Sequence, residues 1–168
     1  MKARIKLPIK MLAEMRADLH RPHPFAYERV GFITAGACAY SDGALLLART
    51  YHPVDDEDYI PDKTVGVKIG SGAFRKTLQR SYRPPAAILH VHSHGGRGLP
   101  NFSGVDVRSA REFVPSLFGA VPRMPHGIIV LSGDSASGLL WFGPDKAEEY
   151  AFEFIGVGAS YIKFGERP

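Results

Sequence analysis

A four-residue apolar run, residues 86–89, leads directly into His90-Val91-His92-Ser93-His94. Such a run reads as a core strand, and a core strand holds rigidly whatever it carries. Side chains two positions apart on a strand project to the same side, so His92 and His94 offer two imidazoles in one direction. A glycine-rich stretch, residues 95–98, then leads to Ser103-Gly104-Val105-Asp106. A carboxylate arriving from the start of the next helix can close a three-ligand metal site. Three protein ligands on zinc leave a place for water, which is the arrangement of a hydrolase and not of a structural site.

A chain of 168 residues suits one domain with a sizeable core. At 45% hydrophobic and 23% charged it has the composition of an ordinary globular protein. Its formal charge of +4 is a modest basic excess that could favour an acidic partner surface. It falls short of the concentrated basic patch that marks a nucleic-acid binder. Cys38 is the only cysteine, which excludes an intramolecular disulfide and a cysteine-based zinc cluster. No apolar stretch follows the N-terminal basic residues, and none anywhere has the length of a membrane span. A cytoplasmic protein that neither enters a membrane nor binds nucleic acid is therefore expected.

Along the chain, residues 2–7 alternate with Ala3, Ile5 and Leu7 apolar, which reads as a short edge strand ended by Pro8. Ile9, Leu12, Met15 and Leu19 recur near helical spacing. Residues 25–35 read as a strand, and Ser41-Asp42-Gly43 supplies turn chemistry for a hairpin with the apolar run behind it. Residues 55–58 are four consecutive acids without the spacing or central glycine of a calcium loop, so they read as a solvated loop. Val65, Val67 and Ile69 alternate as a short strand, and Ser71 can cap a helix to about Arg80. A helix from Ser103 to about Leu117 carries an apolar stripe, with Pro115 able to kink or end it. Strands come next over residues 126–132 and 138–142, then a strand or helix pair over 147–164. The pattern predicts a mixed α/β sheet with helices against it. Neither a dinucleotide-binding fingerprint nor a phosphate loop is present.

Each part of the site has an ordinary reading of its own. Two strand histidines can simply face solvent, and Ser103 with Asp106 can be a capping box and nothing more. It is their joint occurrence that points to a metal. His90 shares the strand parity, but residues 90 and 94 lie about 13 Å apart along a strand, so all three rings cannot easily meet one ion. His90 is better placed as a core-edge residue or one supporting the ligands. His20, His23, His52 and His126 have no comparable spacing. Water at a metal still needs a proton acceptor. Glu28, beside a strand containing Val30, Phe32 and Ile33, is the best candidate, although a strand-edge ion pair would explain it equally. Glu57, Glu112, Glu148 and Glu149 are weaker ones.

Taken together, Glu28 with Gly31 and Gly36 after it, then His92-Ser93-His94, Ser103 and Asp106, resemble the signature of the JAB/MPN-domain metalloproteases of the JAMM type. The likeness covers residues 1 to about 145. This chain has Gly95 where many members have proline, and one residue more between His94 and Ser103. The resemblance implies a three-layer, cytidine-deaminase-like architecture over a single domain, residues 1–168. It also implies one zinc per chain held by His92, His94 and Asp106, with Glu28 as general base and acid and Ser103 stabilising the oxyanion. The implied substrate is the C-terminal tail of a ubiquitin-like modifier or its conjugates, an extended tail with glycine near the scissile bond. Residues 55–67 are then the candidate groove, where a tail could pair with backbone. The short chain is similar to prokaryotic members, some of which accompany E1-like and E2-like conjugation enzymes in antiphage defence.

Three other classes of function are open to the sequence. The chain could be an MPN-like scaffold or binding protein without activity. It could be a phosphoesterase, although that chemistry commonly uses two metals and more ligands than this sequence offers. Arg75, Lys76, Arg80 and Arg83 could form a nucleic-acid patch, but they read more simply as a solvated helix flank.

Overall fold

The computed structural model describes residues 2–22, 24, 26–144 and 150–165. Its elements run β1 (Lys2–Pro8), α1 (Ile9–Leu19), β2 (Val30–Tyr40), β3 (Gly43–Pro53), α2 (Ser71–Ser81), β4 (Ala87–Ser93), α3 (Gly104–Ala120), β5 (His126–Leu131), β6 (Ala136–Trp141), β7 (Tyr150–Val157) and β8 (Tyr161–Gly165). Among the described residues, eight strands join one mixed sheet in the order β1-β3-β2-β4-β5-β6-β7-β8, and β1 also pairs with β7. The sheet therefore curls until it is nearly closed.

That closure corrects one expectation. β1 is not an edge strand: it lies parallel to β3 on one side and to β7 on the other. Its alternation of Ala3, Ile5 and Leu7 marks a strand with one face in the core, and both kinds of strand share that pattern. The Ser-Asp-Gly turn does join β2 to β3, with Tyr40 opposite Gly43. β2 begins only at Val30, so Glu28 stands in the loop before it. The C-terminal pair is two strands, β7 and β8, paired antiparallel. No strand forms over residues 65–69, where a single bridge links Ile69 to Tyr59. Helix α2 begins behind Gly70, without a side-chain cap from Ser71. α3 runs through Pro115 to Ala120, because Val114, Leu117 and Phe118 on both sides of the proline are buried.

Two faces of the sheet bury two different sets of side chains. On the inner face Ile5 and Leu7 of β1, Ile33 and Ala35 of β2, Leu89 and Val91 of β4 and Phe152 and Phe154 of β7 surround Met11, Leu12, Met15 and Leu19 of α1. Each large side chain so buried contributes about 1.5–3 kcal/mol. On the outer face Val30, Phe32 and Ile88 meet Ala73 of α2, while Ala110, Val114 and Phe118 of α3 cover Ile128 and Trp141. The parity of β4 decides where its histidines point. With Ala87, Leu89 and Val91 turned inward, His90 and His92 must face outward toward α2 and α3. No helix of the described residues is long and apolar enough to cross a membrane.

Candidate metal centre

β4 is a central strand, bracketed by antiparallel β2 and parallel β5. Val30 stands opposite His92 on one side and Val130 on the other. His94 lies just beyond the strand, yet its backbone N–H still donates to the Leu131 carbonyl at 3.1 Å, which extends the pairing by one residue. The neighbouring Ser93 hydroxyl donates to the same carbonyl and accepts from the Gly95 N–H. Two-residue periodicity and these anchors bring the rings together, with His92 Nε2 3.1 Å from His94 Nε2.

The carboxylate arrives as the sequence predicts. Ser103 is the N-cap of α3, its hydroxyl accepting from the Asp106 N–H at 3.1 Å. Asp106 Oδ2 in turn accepts from the Ser103 N–H at 2.7 Å, completing a capping box. The same carboxylate faces both imidazoles. Oδ1 is 3.5 Å from His92 Nε2 and Oδ2 is 3.4 Å from His94 Nε2. Burial alone would raise the Asp106 carboxyl, but hydrogen bonding to the His92 ring and to the Ser103 hydroxyl and N–H outweighs it. These bonds hold the carboxyl well below the usual carboxylate range.

These separations are a test of fit. Zinc bonds of about 2.0–2.1 Å at tetrahedral angles put neighbouring donor atoms about 3.3 Å apart. The two imidazole nitrogens, 3.1 Å apart, are near that length, and each has a different oxygen of the Asp106 carboxylate at 3.4–3.5 Å. Two imidazole nitrogens and a carboxylate turned toward one point carry lone pairs that a cation satisfies together. His92 is 3% exposed, so its lone pair has little access to bulk water. His92 Nδ1 is buried without a hydrogen-bond partner among the described residues.

Glu28 joins this group from the opposite wall. One of its oxygens and a ring nitrogen of each of His92 and His94 all lie within 4.8 Å of one another. Its position is set by Gly66, a residue that belongs to no recognisable motif. The Gly66 carbonyl accepts the N–H groups of Tyr27 and Glu28 at 2.9 and 3.3 Å. A Cβ at Gly66 would stand 3.4 Å from the Glu28 carboxyl carbon. Gly31, noted for its place after Glu28, has a packing reason of its own, because a Cβ there would run into the Tyr51 ring.

The loop with the additional residue is tied down from the β5–β6 turn. Gly95, Gly96 and Gly98 take φ of 68°, 66° and 83°, the left-handed region that glycine enters without strain. Asp134 accepts from the Gly98 N–H at 2.6 Å and from Arg97 Nε at 3.2 Å. The Ser132 hydroxyl donates to the Gly98 carbonyl, and the Ser137 hydroxyl to that of Pro100. In the sequence Gly133-Asp134 reads as turn chemistry only.

His90 lies two residues before His92 among rings, 5.4 Å from Phe32, 5.5 Å from Phe113 and 5.8 Å from His92 between centroids. Burial pushes its pKa down to about 3, so it is neutral. Among the other histidines, His126 is fully buried, its Nδ1 accepting from the Ile88 N–H and its Nε2 donating to the Val121 carbonyl. His52 lies against Thr34 and His20 against the Arg16 carbonyl, both away from the cluster. His23, Glu148 and Glu149 lie outside the described residues. Glu57 does not approach Glu28's position. It groups with Asp55 and Asp58, and the Lys76 ammonium sits among all three at 2.7–3.2 Å.

No protein-family model matches the chain, and no curated protein matches it. Among solved structures it is similar to the Trichoplax adhaerens STIL N-terminal domain, at 10% identity and a TM-score of 0.35. The likeness covers 79% of this chain and 38% of that one. At that strength it carries neither a fold family nor a function to this chain.

Proposed function

We propose that this chain is a zinc-dependent peptidase or isopeptidase of the JAB/MPN, JAMM type, cleaving after the C-terminus of a ubiquitin-like modifier. The observation that carries the reading is the convergence of His92, His94 and Asp106 at zinc-ligand spacing with a carboxylate and a hydroxyl beside them. An α/β sheet with α1 on one face and α2 and α3 on the other is in keeping with the three layers the resemblance implies.

His92, His94 and Asp106 would hold the metal. Bound there, zinc supplies a Lewis acid that polarises a carbonyl and lowers the pKa of water toward about 7. Glu28 accepts the proton of the attacking water and returns it to the departing amine, which is the task of a carboxylate beside a dry site. The Ser103 hydroxyl, held in place by the Asp106 N–H, would turn its proton from the Asp106 carboxylate to the oxyanion as charge develops there. Asp106 serves the helix cap and the metal at once, tying the start of α3 to β4. Residues 64–69 line the cleft beside these groups and form the wall along which a tail would run. Asp55, Glu57 and Asp58 are engaged by Lys76 and Asp56 by Arg29, and none of the four lines that cleft. E1-like and E2-like conjugation enzymes would act upstream of such an activity.

The test is cleavage of a panel of modifier C-terminal fusions by the wild type and by Glu28→Gln, with products read by intact mass. Zinc-dependent cuts immediately after the modifier's last residue, abolished by Glu28→Gln with zinc retained, are the expected result. Full activity in Glu28→Gln removes Glu28 from the mechanism. Zinc binding without cleavage of any fusion would favour a scaffold, and internal cuts in unrelated unfolded peptides would point to a general peptidase.

A further inference from the structure

The cleft that opens from the metal centre has a second, chemically different set of lining residues. It has a volume of about 390 Å³ and runs between residues 64–69 and α3. Glu28, His92, Ser103 and Asp106 are in its lining. So are Val67, Ile69, Phe74 and Phe113, which pack on one apolar cluster, and His90, whose ring meets Phe113. Three of these are rings in contact, with Phe113 5.5 Å from His90 and 5.7 Å from Phe74. Phe32, almost wholly buried, supports them from below at 5.4 Å from His90 and 5.6 Å from Phe74. The three upper rings are each only partly covered by protein. An aromatic floor left partly open beside polar catalytic groups is the composition of a specificity pocket.

Resting on the hydrolase reading above, we propose that this apolar part of the cleft is a subsite for one large apolar side chain of the substrate tail, aromatic or long aliphatic. That side chain belongs to the residue two positions before the one whose carbonyl is attacked. The spacing fixes the position. His90 is two residues from His92 on β4, about 7 Å along the strand. An extended tail returns a side chain to the same face every two residues, at the same advance. A residue whose carbonyl lies at His92 and His94 therefore sets the side chain two places earlier over His90. The α3 wall has the reach to enclose it. Val105, Ser109 and Phe113 succeed one another at four-residue intervals on the cleft side, and Phe113 is about 10 Å along the axis from Asp106. Glycine at the scissile bond and a large apolar residue two places before it are compatible demands.

The probes are acetyl-Gly-Xaa-Gly-Gly-Ala-amide peptides with Xaa as Phe, Leu, Ala or Asp. Binding of each to the full chain carrying Glu28→Gln is followed by NMR titration, and turnover of each by wild type with zinc is followed by mass spectrometry. Phe and Leu are expected to bind about 10- to 100-fold more tightly than Ala or Asp, the range that burying such a side chain supplies. Ser109→Trp, added to the Glu28→Gln chain, fills the cleft from an exposed position without removing core packing, and should erase that preference. Phe113→Leu should keep most of it. Equal affinity for all four peptides, or a preference untouched by Ser109→Trp, overturns the subsite. Discrimination without zinc-dependent turnover leaves the subsite standing and sinks the hydrolase; turnover without discrimination does the reverse.

Discussion

Asp106 carries two duties that substitution can separate. As the third residue of α3 its carboxylate accepts the Ser103 N–H, and as a ligand candidate it faces both imidazoles. Asp106→Asn should cost at most about 1 kcal/mol of stability, since the cap hydroxyl remains, but should lose zinc. Metal analysis beside a thermal melt reads both effects in one sample. A variant that keeps its zinc removes Asp106 from the ligand set. Gly66 is the other residue to change. A valine there presses branched carbons onto the Glu28 carboxylate. Gly66→Val should cut turnover at least 10-fold while zinc content stays at one per chain, an outcome that wild-type turnover would contradict. His92, His94, Ser103 and Asp106 were legible in the sequence because strand alternation and the capping box are local rules. Glu28 was legible only as a candidate. Its place depends on a carbonyl 38 positions away, and nothing at Gly66 marks that contact in the sequence.

At the scale of elements, the loop between β4 and α3 and the buried histidine of β5 make separate claims. The loop is pinned by Asp134, so Asp134→Ala should free the segment before Ser103. Hydrogen exchange should rise at residues 96–98, and turnover should fall more than zinc affinity, because the ligands are anchored elsewhere. Unchanged exchange would show that the glycines hold their geometry unaided. His126 makes the fold sensitive to acid. Burial lowers its pKa from 6.5 to about 4 despite two backbone hydrogen bonds. Between those values the unfolded chain binds a proton that the folded chain refuses. The stabilisation is therefore complete above pH 6.5 and is lost as pH falls toward 4, by roughly 3 kcal/mol. Urea midpoints should fall across that window, with His90 contributing in the same direction, and the fall should be shallower in His126→Gln. A pH-independent midpoint would contradict the burial of a neutral ring.

Most elements were legible from periodicity, and the exceptions share a physical cause. The segment 65–69 alternates like a strand, but only Ile69 finds a bridge partner, and β4 is already paired on both sides. Pro115 has the sequence signature of a helix end, and buried residues around it override that local preference.

For the whole molecule, near-closure of the sheet is what the sequence concealed. Pairing of β1 with β7 joins residues about 150 positions apart, a separation no local pattern encodes. Its effect is to make β4 a central strand of a curled sheet, with α1 behind it and α3 in front. The candidate ligands His92 and His94 thus stand on, or just beyond, a strand paired on both sides. Zinc bound there stabilises the folded state by mass action, so a chelator should lower the melting temperature of the wild type and leave that of His92→Ala unmoved. The most direct measurement is zinc K-edge absorption on the purified chain, together with its zinc content. One zinc per chain is expected, with only nitrogen and oxygen neighbours at about 2.0–2.1 Å, two of them imidazoles, and the metal lost in His92→Ala and His94→Ala. A chain that retains no zinc, or a spectrum showing sulfur at about 2.3 Å, would contradict the centre built from His92, His94 and Asp106.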